Sequence, residues 1–371
     1  MWNSNRPPRE IFDEIERREL TEDPAEFAFA MKGDWDGKPW DPPARQQPGV
    51  YAWGEAHLLL AYIVQFEATQ DPRYLDTFVR RFKMLLSLRD DQVGRVDEVR
   101  GRIMPGWGSV RFSTQPPHQG KYTSWAVHVG MILFPAARFV HRVESNPTLS
   151  IRYAADSQVF RTAIIESLTA YEDQWHERQP AGSGDIEGFY TEPMTGAAPL
   201  PLNMMNTLGR IMLELHLASP NSRYLDRATK LARFLKNRLV LRPDGAYQWP
   251  YRPGREPPYD AGAEDFSHAA LNADFMVQCF HAGIVFSPED MEHLLQMLLS
   301  VVYRGQGKFA DFINGSGDQN RFADTIAWWG ELASINRQVA TLIRERYEIR
   351  PHPAGGPGGL LAAAMLGKYG Y

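Results

Sequence analysis

The chain has 371 residues, 43% of them hydrophobic, and a formal net charge of −5 from 45 acidic and 40 basic side chains. Such a length buries a large core, and a charge balance with no Lys/Arg run sets up no phosphate-neutralising surface, so nucleic acid is not an expected partner. A single cysteine, Cys279, excludes an internal disulfide framework and a Cys-based metal cluster, and no apolar run approaches the ~20 residues that span a bilayer.

In chain order, residues 1–50 open on MWNSNRPPREIFDEIERREL, an acidic, Pro-containing stretch without a basic-then-apolar leader. They read as an extension that packs on the domain behind them. As given, the chain is expected in the cytoplasm, or in the periplasm or outside the cell if a leader has been removed. From Tyr51 onward the pattern is a series of helical hairpins. GEAHLLLAYIVQFEAT precedes DPRYLDTFVRRFKMLLSLRDD, and LNMMNTLGRIMLELHLAS precedes NSRYLDRATKLARFLKNRLV. The second members share an Arg-Tyr-Leu-Asp start and place apolar residues at helical spacing, Tyr74, Phe78, Phe82 and Leu85 in one, Tyr224, Ala228, Leu231 and Leu235 in the other. SWAVHVGMILFPAARFVHRV with SIRYAADSQVFRTAIIESLTAYEDQW, and SHAALNADFMVQCFHAGI with SPEDMEHLLQMLLSVVY, repeat the unit, and DTIAWWGELASINRQVATLIRERY closes the series. Strand signals are confined to short pieces such as GSVRFST and GAYQWPYR. The Gly/Pro-rich stretch 348–371 reads as a tail.

Turns inside the hairpins are short and polar, whereas the links between hairpins are long and rich in Gly, Pro and aromatic residues, among them Trp107 in GRIMPGWGSVRFST. Ordered loops of that length are usually functional, and in a ring of hairpins they all fall on one face. The arrangement over 51–347 resembles the all-α (α/α) toroid of carbohydrate-active enzymes, an incomplete barrel of about five to six hairpins. Within that group it is most similar to the toroidal alginate and glucuronan lyases. The resemblance implies a carbohydrate as partner, with no metal or other cofactor; the oligomeric state is not legible.

Polar clusters stand at the predicted start of each inner helix. Tyr51, Trp53, Glu55 and His57 open the first; Lys121, Tyr122, Trp125 and His128 the second; Asn203 and Asn206 the third. Asn203 can be an N-cap, but Asn206, one turn in, cannot. At EDFSHAALNADF, Glu264, Asp265 and Ser267 are accounted for by capping and by the helix dipole, whereas His268 is not. The dipole favours a neutral imidazole there, which suits a general base. Arg321, Asp324 and Trp328 belong to the fifth cluster, with Asp324 as an expected N-cap and Arg321 as a clamp for a carboxylate. Tyr51, Tyr122, Tyr190, Tyr259 and Tyr303 are candidate proton donors.

The lyase resemblance assigns His268 or a Tyr (Tyr122 or Tyr190) to remove the C5 proton of a uronate, and Asn206 and Arg321 to steady its carboxylate. Tyr51, Trp53, Glu55, Trp107, Trp125, His128, Glu264, Asp324 and Trp328 are then expected to bind the sugar. Two alternatives on the same scaffold are a glycoside hydrolase, with Glu55, Asp185, Glu187, Glu264, Asp265 or Asp324 as paired carboxylates, and a sugar epimerase. A glycan-binding scaffold without catalysis is the fourth reading.

Overall fold

The computed structural model describes residues 6–19, 48–114, 116–180, 184–193, 198–253, 263–349 and 356–370. Its helices are α1 (Pro8–Glu19), α2 (Glu55–Thr69), α3 (Arg73–Ser87), α4 (Ala126–Glu144), α5 (Pro147–Thr169), α6 (Leu202–Ala218) and α7 (Ser222–Lys236). They continue with α8 (Phe266–His281), α9 (Pro288–Gln296), the 3-10 segment Ala323–Ser334, α10 (Gln338–Glu348) and α11 (Gly356–Tyr369). Among these, no helix is long and apolar enough to cross a membrane.

Six elements form a closed inner ring: α2, α4, α6, α8, the 3-10 segment and α11 each pack on the next, and α11 returns to α2. The outer layer, α3, α5, α7, α9, α10 and α1, backs them one to one. This is the all-α toroid expected from the hairpin repeat. Composition sorts the layers. Inner helices are apolar nearly all round, as α2 is, where Glu55 to Leu59 and Ala61 to Phe66 are all buried. Outer α3 carries a single stripe, Tyr74, Phe78, Phe82 and Leu85, each at most 1% exposed.

Local signals set the helix starts. Asn146, Asn221 and Asp265 accept backbone N–H bonds at the starts of α5, α7 and α8, and Ser287 forms a capping box with Asp290 at α9. Two expected caps are corrected. Asn203 is the second residue of α6, behind Pro201 at the N-cap, and Asp324 lies inside the 3-10 segment behind Phe322. Of the C-terminal stretch, expected as a packed or partly disordered extension, 356–369 is the packed helix α11, and Leu360 to Leu366 are each at most 2% exposed.

The long links precede the inner elements and gather on one face. They hold four two-stranded antiparallel ribbons: Val96–Asp97 with Arg102–Ile103, Gly108–Ser109 with Thr123–Ser124, Trp175–Arg178 with Glu187–Tyr190, and Val240–Leu241 with Tyr247–Gln248.

Candidate active site

The mouth of the ring lies where the inner helices begin. At α8 the Asp265 carboxylate does two jobs. Its Oδ1 caps the helix, accepting from the N–H of Ser267 at 2.9 Å and of His268 at 3.0 Å, and its Oδ2 accepts from Nδ1–H of His268. A carboxylate only accepts, so the proton of a neutral His268 sits on Nδ1 and Nε2 is left as a base. Burial pushes the Asp265 carboxyl up, but the bonds from His268 and Ser267 outweigh it and hold the group below its usual range. The His268 side chain is 30% exposed, enough to meet a ligand. The ring of Tyr251 lies 5.2 Å from it, and the Tyr251 hydroxyl has no hydrogen-bond partner among the described residues.

Neighbouring Glu264 is fully buried. Its Oε2 accepts from Trp249 Nε1 and, at 2.7 Å, from Asn272 Nδ2, while Oε1 has no partner. Burial, then the adjacent Asp265 charge, raise its pKa well above the carboxylate range. Asn272 passes the network to α6, where Asn206 Nδ2 donates to Asn272 Oδ1 at 2.7 Å. Backbone bonds from Phe266 to Asp311 (2.9 Å) and from Ile313 to Glu264 (3.1 Å) pin this corner.

Across the ring, His128 donates from Nδ1 to the Trp107 carbonyl at 3.0 Å, which leaves Nε2 bare, buried and without a partner. Burial takes its pKa down to about 3, helped by the Arg111 charge and opposed by the Trp107 bond. Gly49 lies against that ring so closely that a Cβ there would stand 2.4 Å from Nδ1. Trp53 and Phe112 pack on His128 with centroids 6.3 and 5.5 Å away, and Phe112 meets Trp125 at 5.8 Å. The indole N–H groups of Trp53 and Trp125 are buried and unpartnered, as are both amide atoms of Asn203 and Oδ1 of Asn206. Trp328 stacks on His57 at 3.9 Å. Below, the axis is plugged: the void among His57, Leu271, Trp328, Arg210, Asp274 and Glu331 has about 20 Å³ for a water-sized sphere, room for one water.

Other expected site residues lie elsewhere. Glu55 is locked to Arg81 by bonds of 2.7 and 2.9 Å between α2 and α3, and Asp324 accepts from Arg346 at 2.8 Å. Glu187 is held by Arg238 and Asn237, and Asp185 pairs with Arg233 at 2.9 Å. Tyr122 donates to Asp90 at 2.6 Å, Tyr303 is bonded to Glu345, and Tyr190 is buried against Trp175. Tyr51 is buried in the turn Pro48–Trp53, Trp107 donates to the Leu85 carbonyl at 3.0 Å, and Tyr259 lies outside the described residues. Arg321 is exposed, its Nε on Gln319 at 2.8 Å, and it reaches neither Asn206 nor His268. The sequence reading missed Trp249, Tyr251 and Asn272. The alternation Tyr247, Trp249, Tyr251 carried a signal, because residues two apart in an extended stretch share a face.

A closed ring of helical hairpins with its polar mouth at the inner-helix starts is the architecture of (α/α)-toroid proteins, and similar solved structures share it. A D-mannose isomerase aligns over 99% of both chains at 12% identity with a TM-score of 0.57. An α-1,6-mannanase, GH76A, from Salegentibacter sp. HEL1_6 covers 98% of this chain and 97% of its own, at 12% identity and a TM-score of 0.55. A sugar epimerase from a ruminal bacterium covers 97% and 99%, at 12% identity and 0.53. At such identities the likeness is one of fold. No protein-family model matches the sequence, and no curated protein matches it either.

Proposed function

We propose that the protein is a carbohydrate-active enzyme that moves a proton at the carbon beside a sugar carbonyl, as an epimerase or isomerase does, with His268 as the base. The observation that carries this reading is the Asp265–His268 pair at the lip of a plugged mouth, its Nε2 without a hydrogen-bond partner among the described residues. Hydrolysis needs two carboxylates across one glycosidic bond. Here Glu55, Asp185, Glu187 and Asp324 are each held by an arginine, and Glu264 is fully buried and bonded to Trp249 and Asn272. The fold shared with an isomerase and an epimerase agrees with proton transfer, and so does the mannanase with a sugar ligand more broadly. The β-elimination reading would use the same base with Asn206 and Arg321 on the uronate carboxylate, but Asn206 Nδ2 is given to Asn272 and Arg321 Nε to Gln319.

In the proposed step an open-chain aldose lays its C2–H against His268 Nε2. Nε2 takes that proton, the C–H electron pair forms the C1–C2 double bond, and the carbonyl oxygen takes a proton from Tyr251, whose ring lies against His268. Return of the proton from His268 to C1, as O2–H gives its proton to the acid's conjugate base, yields the ketose. Return to C2 after the enediol has turned its other face to His268, as O1–H gives its proton back to that base, yields the epimer, so no redox partner is consumed. Asp265 stabilises the imidazolium formed in between.

Incubation with D-mannose, D-glucose or N-acetyl-D-glucosamine in D2O, followed by proton NMR, is expected to show loss of the C2–H signal of at least one sugar. His268→Ala should slow that loss at least ~100-fold, the scale of general-base catalysis. Exchange that survives His268→Ala, or a new ultraviolet-absorbing double bond on a uronate polymer instead, would sink the reading.

A further inference from the structure

The outer layer of the ring is not uniform. Among the described residues, no large hydrophobic side chain stands exposed within α3, α7, α9 or α10, whereas α5 exposes Ile151 (90%), Val159 (53%) and Ile165 (38%). Val93, Val96 and Ile103, each near half exposed, lie in the link that leaves α3. That link is tied along the C-terminal half of α5: Arg89 donates to the Ala163 carbonyl at 3.2 Å, Ser167 to the Pro105 carbonyl at 2.6 Å, and Arg102 to the Ala170 carbonyl at 3.2 Å. Six of the ten exposed large hydrophobics therefore fall in one sector, and such a concentration on a folded protein marks an interaction surface. Between α3 and α5 the sector is hollowed by a groove of about 510 Å³ whose walls include Leu86, Val159 and Ala163.

The outward face of α5 is also self-complementary. Ile151, Ala155, Gln158, Val159, Thr162 and Glu166 recur at helical spacing on one side of it, all exposed. When two such helices run antiparallel about a two-fold axis passing between Gln158 and Val159, Ala155 of each copy meets Thr162 of the other, and Ile151 meets the aliphatic stem of Glu166. Arg152, next to Ile151, then stands against Glu166 of the second copy, and symmetry makes the contact twice. Both side chains are about half exposed, although each also holds a partner in its own chain, Arg152 on Asp76 and Glu166 on Arg89. Along the groove the charges cancel: Lys83 pairs with Asp156, and Arg89 with Asp91 and Glu166. A face whose charges balance gives no hold to a strongly charged partner such as nucleic acid or an anionic membrane, whereas it fits a copy of itself.

We propose that two copies of the chain associate through this sector, α5 against α5 in antiparallel array, with the two-fold axis beside Val159. Burial of Ile151 and Val159 on both copies drives the association, and the two Arg152–Glu166 contacts fix its register, since charges at the margin of an interface specify more than they stabilise. α5 belongs to the outer layer and His268 to the mouth, so the pairing and the reaction at the mouth are separate properties.

The test is sedimentation equilibrium of the full chain over a range of micromolar concentrations. Wild type should show a concentration-dependent dimer. Val159→Glu, which adds an acid beside the axis at an exposed position, should give a monomer with the wild-type circular dichroism spectrum. Arg152→Glu and Glu166→Arg should each loosen the dimer about ten-fold, since like charges then face each other. An equal mixture of these two variants should recover wild-type affinity, because the mixed pair has opposite charges at both contacts. Changes within each chain are the same in the mixture as alone, so only contact across the axis can restore the affinity. A wild-type chain that stays monomeric would overturn the pairing and leave the face to another partner. A dimer that withstands Val159→Glu would overturn it by placing the interface elsewhere, and a mixture no tighter than either variant would overturn the antiparallel register.

Discussion

His57 and His128 are each driven down to a pKa of about 3, burial being the larger cause in both, with the Arg210 charge adding to it at His57 and the Arg111 charge at His128. In the unfolded chain an imidazole takes its proton near pH 6.5. Between those values the unfolded state therefore binds more protons, so their contribution to stability is whole above about pH 6.5 and is lost as pH falls toward 3. Urea unfolding of His128→Gln should show a decline between pH 6.5 and 4 that is shallower than wild type by one proton, about 1.4 kcal/mol per pH unit. An unchanged slope would mean that His128 is not buried as a neutral ring. The sequence marked His128 as a sugar-binding residue and gave no sign of what holds its ring. The Trp107 carbonyl and the Gly49 backbone hold it, and they lie in separate links that meet only in the fold. His268 was legible because capping explains its neighbours and leaves it over. For Tyr251 the alternation with Tyr247 and Trp249 showed a shared face, but not that the ring lies on His268.

At the scale of elements, α11 repays attention to its composition. The Gly and Pro residues that read as a tail sit at its first turn, where Pro is tolerated, and the run behind them, LLAAAML, is apolar on every side. A helix of that kind has no polar face for periodicity to detect, and belongs at the centre of a ring. Its seam with the 3-10 segment is close: a Cβ on Gly330 would stand 2.5 Å from Met365 Cγ and 3.1 Å from its Cβ. Gly330→Ala is expected to destabilise by about 1–3 kcal/mol, the cost of overpacking a filled core, read from chemical unfolding. A neutral result would show that Met365 swings aside at no cost. The hairpins before α11 were legible for the opposite reason, because their outer members carry one apolar stripe and a polar cap.

In the whole molecule, the two ends of the ring are built differently. Buried polar atoms without a partner gather near the inner-helix starts, whereas the opposite end is laced by charge. Buried Arg138 on α4 pairs with Glu67 of α2 and with Glu331 of the 3-10 segment at 2.7 Å, and Lys368 of α11 reaches both acids, Glu67 at 2.8 Å and Glu331 at 3.1 Å. Burial opposes these charges, yet the arginine and lysine hold Glu331 down to about 2. Arg138→Met should cost about 3–5 kcal/mol by leaving buried acids short of a partner, and a loss below 1 kcal/mol would show that Lys368 alone suffices. None of this was visible in the sequence, where the same residues read as ordinary charged helix ends. The ring also has a history written into its connectivity. Most of its seams join neighbours along the chain, but α2 and α11 are separated by roughly three hundred residues, and bringing them together costs chain entropy that no local contact offsets beforehand. Enclosure is therefore the latest event in assembly, and a chain halted before α11 would hold most of its helices while its mouth still lacked a wall.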